Sequence, residues 1–300
     1  MNRLNRGFKV FSVFASFGML IVLLQGALVT QTGSGDACGT SWPLCYGQVI
    51  PEAPTIATWI EYTHRIVSAV MGLVVIILAV WAWRTLGHIR ETKFLSVLAI
   101  FAIIFQGLLG AAAVAWGQSD AVMALHFGFS LVSFASVLLL CLLAFEADYT
   151  DGKVTASLTK RMRNYVYFVI IYMYTVVYTG AFVKHTGSSG VCRGWPLCNG
   201  QIIPPLEGRV AIQFGHRVAA GLLLIVIVIM LVALLRHYRH EKVLVWTAVI
   251  STILVTIQVA SGAVVLFTGF TLWATLFHAL FVSLLFGVLS YGVMIASRKS

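Results

Sequence analysis

Apolar residues fill this chain in eight long runs, roughly 10–30, 62–84, 94–116, 122–145, 164–184, 212–235, 243–267 and 272–296, with the charged residues gathered mostly between them. A helix rising about 1.5 Å per residue needs about 20 apolar residues to cross the hydrocarbon of a bilayer. Each run therefore predicts one transmembrane helix, and an even number returns the chain to the side on which it started. Composition agrees: with 60% hydrophobic and 10% charged residues and a mean hydropathy of +0.94, there is too little polar surface to coat a water-soluble globule. The basic opening followed by an apolar run has the outline of a secretory signal. Residues 10–30 are nevertheless long enough to span, lack a convincing small-residue cleavage site and lead directly into a repeated segment, so they are expected to stay as a helix.

That repeat organises the whole sequence. The stretch from Thr30 to Pro51, TQTGSGDACGTSWPLCYGQVIP, returns from Lys184 to Pro204 as KHTGSSGVCRGWPLCNGQIIP, and each copy is followed by His-Arg twelve or thirteen residues on. Cys38 and Cys192 are 154 residues apart, Trp42 and Trp195 are 153 apart, and His64/His216, Gln106/Gln258 and His126/His278 are each 152 apart. Four crossings bring the chain back to its starting face, so both copies enter the membrane in the same sense. The expected architecture is an all-α integral membrane protein whose eight transmembrane helices form two pseudo-symmetric four-helix bundles. Residues 1–147 make the N-terminal half, 148–163 a charged linker and 164–300 the C-terminal half. Glycine-containing stretches such as Gly107 to Gly110 and Ser261-Gly262 read as close helix packing.

Charge then orients the chain. Fifteen of the 20 lysines and arginines lie at the N-terminus, in the turns near 84–93 and 236–242, in the linker and in the tail; Arg65, Lys184, Arg193, Arg209 and Arg217 are on the other face. The positive-inside rule puts both termini and the linker in the cytoplasm and the cysteine segments outside. The net charge of +10 is accounted for by topology and by contact with anionic membrane lipid, with no nucleic-acid partner expected.

Of eight histidines, His88, His237 and His240 lie in basic turns and His185 in an outer connection. The other four, His64, His126, His216 and His278, fall at matched positions early in the even-numbered helices. A lone histidine on an apolar helix is ordinarily a satisfied core residue, but four in register across a duplication point to ligands. A neutral imidazole suits iron, and two facing each other across a four-helix bundle make a bis-histidine haem site. Zinc or copper would call for three or four ligands within one half, where only two histidines are well placed. Arg65 and Arg217, directly after two of these histidines, are either propionate partners for a haem or ordinary interfacial anchors.

One position breaks the match between the copies. Glu61 stands one turn before His64, whereas the residue before His216 is Gln213. A carboxylate at this depth is costly unless paired or used. The difference suggests proton-coupled chemistry in the first half and electron transfer in the second. The cysteines pair by proximity, Cys38 with Cys45 and Cys192 with Cys198, each enclosing Trp-Pro-Leu and each facing an oxidising compartment, as a structural staple or a redox-active bridge. Cys141, alone in the fourth helix, reads as packing.

Taken together, Gly26 to Gly35 (GALVTQTGSG), the Cys38/Trp-Pro-Leu-Cys45 loop, Glu61-Tyr-Thr-His64-Arg65, Leu125-His126-Phe-Gly, Gly215-His216-Arg217 and Phe277-His278 resemble bacterial haem A synthase, in particular its Bacillus-type form with cysteine pairs in both outer loops. The likeness extends over almost the whole chain. It implies a bacterial cell-membrane enzyme that oxidises a methyl group of haem O to the formyl group of haem A by successive hydroxylations, for use in terminal oxidases. It further implies a resident haem b on His216 and His278, a substrate haem flanked by His64 and His126, and a catalytic role for Glu61. Partners implied are haem O as substrate, a haem O synthase that delivers it, and a membrane quinol or other electron-transfer partner. Two other readings of the same residues are a dihaem cytochrome b-type quinol-linked electron carrier and a thiol-oxidising protein acting through the outer cysteines.

Overall fold

The computed structural model describes residues 6–150 and 154–298; Arg3, Lys153 and Lys299 of the charge count, and part of the 148–163 linker, lie outside the described residues. Eight helices follow one another: α1 (Arg6–Thr32), α2 (Ile56–Leu86), α3 (Arg90–Trp116), α4 (Asp120–Thr150), α5 (Lys160–His185), α6 (Gly208–His237), α7 (Lys242–Phe267) and α8 (Leu272–Ser297). All eight are long and apolar enough to cross a membrane, and the described residues contain no strand. The fold is an all-α, multi-pass membrane protein.

Several helices outrun the apolar stretches that announce them. Hydropathy marks the part that crosses hydrocarbon, while the backbone ladder continues until a cap stops it. Thus α2 starts six residues before its apolar run, where the Thr55 side chain accepts the N–H of Thr58. Thr159 does the same for Met162 at the start of α5. His185, expected in a connection, is the last residue of α5.

The chain divides into two compact units, Met1–Lys153 and Val154–Ser300. In the first, α1 packs on α2 and α4, and α3 packs on the same two helices, which also touch each other. In the second, α5 packs on α6 and α8, and α7 closes the ring against both. The most enclosed span of each unit is its last helix, α4 or α8, so His126 and His278 ride on the best-surrounded element. Large apolar side chains such as Phe17, Leu73 and Phe101 in the first unit and Ile171, Leu222 and Trp246 in the second stay exposed, as a lipid-facing surface requires.

The connections α1–α2 and α5–α6 are tight, disulfide-closed loops. Cys38 is bonded to Cys45 and Cys192 to Cys198, with Cα atoms 4.5 and 4.6 Å apart. After each second cysteine the chain reverses through Tyr46-Gly47 or Asn199-Gly200, all four with φ between 52° and 78°. Two consecutive positive φ values define a type I′ turn, which explains a glycine at its second position. Cys45 and Gln48 exchange backbone hydrogen bonds of 3.2 and 2.9 Å across the first turn, and Cys198 and Gln201 bonds of 3.1 and 3.0 Å across the second.

Candidate functional site

His64 and His216 are each the ninth residue of their helix, and His126 and His278 each the seventh. They stand about 12 and 9 Å from the helix starts, in the third and second turns, because α2 and α6 begin well before their apolar runs. Within the first unit His64 and His126 lie near each other, and in the second so do His216 and His278. The expected pairs are brought together.

Each ring lies against a glycine on the preceding helix. A methyl group placed on Gly26 would lie 3.5 Å from His64 Cε1, on Gly110 3.5 Å from His126 Cε1, on Gly180 3.0 Å from His216 Cε1 and on Gly262 3.4 Å from His278 Cε1. Four imidazoles therefore rest edge-on against bare main chain at four corresponding places. A methyl group on Gly180 would crowd the His216 ring, whereas on the other three it would come into ordinary contact.

The hydrogen bonds around the rings differ between the units. Thr179 Oγ1 is 2.8 Å from His216 Nδ1, and Ser261 Oγ is 2.8 Å from His278 Nδ1. In the first unit, Ser68 Oγ is 3.5 Å from His64 Nδ1, too far for a firm bond, and His126 Nδ1 has no hydrogen-bond partner. Gln258 Nε2 lies 3.2 and 3.1 Å from the two nitrogens of His278. An in-plane donor equally distant from both would collide with the ring edge, so this amide sits over the imidazole face. Its counterpart Gln106 donates instead to Ser130 Oγ at 2.6 Å.

Glu61 is only 3% exposed. Its Oε2 accepts the backbone N–H of Cys38 at 2.8 Å, and its Oε1 forms an ion pair with Arg65. Gln213 does the matching job: its Oε1 accepts the N–H of Cys192 at 2.6 Å. Both side chains latch a disulfide loop to the helix that carries a histidine. Arg65 Nη1 donates to Ser41 O and Leu44 O at 2.6 and 2.8 Å. Arg217 donates to Gly194 O, Leu197 O and Cys192 O at 2.9, 3.1 and 2.8 Å. The two guanidiniums thus hold loop carbonyls. Cys141 is free and buried in α4.

Comparison with known proteins adds the family. A family model described as cytochrome oxidase assembly protein (COX15-CtaA) matches residues 9–290. The chain is 52% identical over 297 residues to the haem A synthase of Alkalihalophilus pseudofirmus, covering 99% of this chain and 100% of the relative. It is 53% identical over 299 residues to that of Halalkalibacterium halodurans, covering 99% of both. The chain belongs to the haem A synthase family.

For a haem A synthase family member the question is whether these residues suit a porphyrin. Porphyrin iron brings four nitrogens of its own and needs two further ligands, a number that one histidine pair per unit would supply. Among the described residues no group of three or more His, Cys, Asp or Glu could hold a bare ion. Several buried polar atoms lack a protein partner: Gln25 Oε1, on the residue before Gly26, Gln106 Oε1, His126 Nδ1 and Gln258 Oε1. The donor set, two imidazoles per unit, fits a haem in each unit. In the sequence Gln258 stands out only as a register mark, Ser261-Gly262 only as helix packing, and Thr179 not at all. The signal was in the repeat: each hydroxyl directly precedes a glycine whose partner copy lacks it, Gln25 against Thr179 and Leu109 against Ser261.

Proposed function

We propose that this protein is a haem A synthase of the bacterial cell membrane, with both termini in the cytoplasm, that oxidises a methyl group of haem O to a formyl group. Two successive two-electron hydroxylations at that carbon, the oxygen entering as water and the electrons and protons leaving to an electron-transfer partner and to a base, give a geminal diol, which loses water to leave the aldehyde. His64 and His126 flank the substrate haem, and His216 and His278 hold a resident haem b. When bound, that haem supplies one-electron transfer. Haem O arrives from a haem O synthase, and electrons are exchanged with a membrane quinol or another electron-transfer partner.

The observation that carries this reading is the pair Glu61 and Gln213. Both accept the N–H of the first loop cysteine, so an uncharged amide suffices for the latch. The carboxylate of the first unit is therefore surplus to that latch; Arg65 neutralises its buried charge, while Arg217 holds the matching loop beside an uncharged amide, so the charge is an addition that the loop does not need. Its place one turn from His64 lets Glu61 take and return the protons that hydroxylation releases, while the Arg65 ion pair keeps the carboxylate oriented. The N–H groups of Arg65 and Arg217 beyond those on loop carbonyls are offered to haem propionates.

Expression together with a haem O supply, followed by extraction and chromatography of the pigments, tests the proposal. Haem A in the extract supports it. Haem B with unchanged haem O overturns it and leaves a dihaem electron carrier.

A further inference from the structure

Each seating glycine is directly preceded by one residue of its own helix, and these four residues split by unit. In the second unit both are hydroxyls, Thr179 before Gly180 and Ser261 before Gly262. In the first they are Gln25 and Leu109. Thr179 Oγ1 donates its hydrogen to Val176 O at 2.7 Å, and Ser261 Oγ donates to Gln258 O at 2.8 Å. A hydroxyl has one hydrogen, so toward the ring each oxygen can only accept. His216 and His278 must then carry their proton on Nδ1, at 2.8 Å in both cases, leaving the Nε2 lone pair for a metal.

The first unit has no such arrangement. Leu109 has no polar atom in its side chain, and Gln25 Oε1 is buried with no partner. His126 has a hydrogen bond to the Gln106 backbone but no partner at Nδ1, and the Ser68 hydroxyl is 3.5 Å from His64 Nδ1, so no side-chain hydroxyl at 2.8 Å fixes either ring as in the second unit. Outer partners of this kind fix a ligand's tautomer and ring orientation and raise its basicity. A pair with them is a standing ligand set; a pair without them lets its haem exchange.

We infer that Thr179 and Ser261 are positioning residues that make the second unit a permanent haem site, and that Gln25 and Leu109 leave the first unit able to bind and release haem. The inference rests on the proposed function, since a substrate haem must leave as product and a resident one must not. It also assigns an exchange-limiting role to two positions next to the ligand seats.

The test removes the hydroxyls from one unit and adds them to the other. In the full-length protein, Thr179→Val with Ser261→Ala is expected to loosen resident haem about 10- to 100-fold, the usual effect of deleting an outer partner. This is read as haem b lost to apomyoglobin over time. The midpoint potential of the remaining haem b is expected to rise, because a less basic imidazole favours the oxidised iron less. Thr179→Ser keeps the acceptor and is expected to restore both readouts, which a packing role for the Thr179 methyl group would not. Conversely, Gln25→Thr with Leu109→Ser is expected to slow transfer of haem from the first unit and to lower kcat and KM together. Unchanged haem loss and potential in the Thr179/Ser261 variant would overturn the inference, as would loss of haem in the Thr179→Ser variant equal to that of Thr179→Val. Should the hydroxyl-free variant not fold, unchanged transfer from the Gln25/Leu109 variant overturns it. These readouts need no haem A to be made, so failure of the proposed function appears separately, as unchanged haem O in the pigment extract.

Discussion

Replacing Glu61 by glutamine separates the latch from the charge. Gln213 shows that an amide oxygen at this position accepts a loop N–H, at 2.6 Å from Cys192, so the Glu61→Gln variant keeps the bond to Cys38. Arg65 loses its anionic partner but retains the carbonyls of Ser41 and Leu44. Arg217 already holds its own loop through carbonyls alone. The structural cost is the difference between charge-assisted and neutral hydrogen bonds at two contacts, together about 2–3 kcal/mol. The chemical cost is larger: removing a positioned proton-transfer group slows a reaction about 10²- to 10⁴-fold, or about 3–5 kcal/mol in the barrier. Purified Glu61→Gln protein should keep its haem b spectrum and most of its thermal stability, while haem A formation per mole of protein falls at least a hundredfold and hydroxylated haem accumulates. Glu61→Ala should be equally inactive and less stable, having lost the latch as well. Turnover of the glutamine variant within about threefold of the parent would show that Glu61 is no more than a clasp for the loop.

The glycine seats make a graded prediction. Gly180→Ala sets a methyl group 3.0 Å from His216 and should cost about 1–3 kcal/mol by overpacking, with haem b content reduced in the reduced-minus-oxidised spectrum; Gly262→Ala, at 3.4 Å from His278, should lower haem b content less. The reverse order would refute the seating argument. Substituting His216 should empty the resident site, whereas His64→Ala should keep haem b and stop haem A formation; pyridine haemochrome analysis distinguishes the two. Converting Cys192 and Cys198 to serine should lower stability by about 2–3 kcal/mol, seen as earlier loss of the haem spectrum on heating. Complete loss of activity at temperatures where that variant remains folded would instead mark the bridge as redox-active.

How much of this could be read from sequence depends on how each feature is encoded. Apolar run length reports membrane thickness directly, so the eight helices were legible, though not their ends. Ile56 and Gly208 lie outside the apolar stretches; α2 starts at the Thr55 cap, and α6 starts after Glu207 with no side-chain cap, so neither start is marked by hydropathy. The histidines and cysteines stood out because the repeat placed rare residue types in register. Arg65 and Arg217 were visible as residues, but which carbonyls they bind depends on how the Trp-Pro-Leu loops fold back over α2 and α6. Thr179 and Ser261 were harder still: hydroxyls are common in membrane helices, where they usually bond their own backbone, as these two also do. Only three-dimensional proximity to an imidazole on the next helix distinguishes them from Thr175 or Thr256, whose hydroxyls meet only carbonyls of their own helix.

The glycine contacts also bear on how a duplicated protein can specialise. Where an aromatic ring leans on main chain rather than on a neighbouring side chain, its attitude is inherited with the helix path and survives nearly any substitution nearby. Chemical identity can then be rewritten at adjacent positions, carboxylate for amide or hydroxyl for hydrocarbon, without redrawing the socket. Gene duplication of such a scaffold yields two berths of one shape, and a handful of point changes suffices to turn one into a mooring and the other into a workbench.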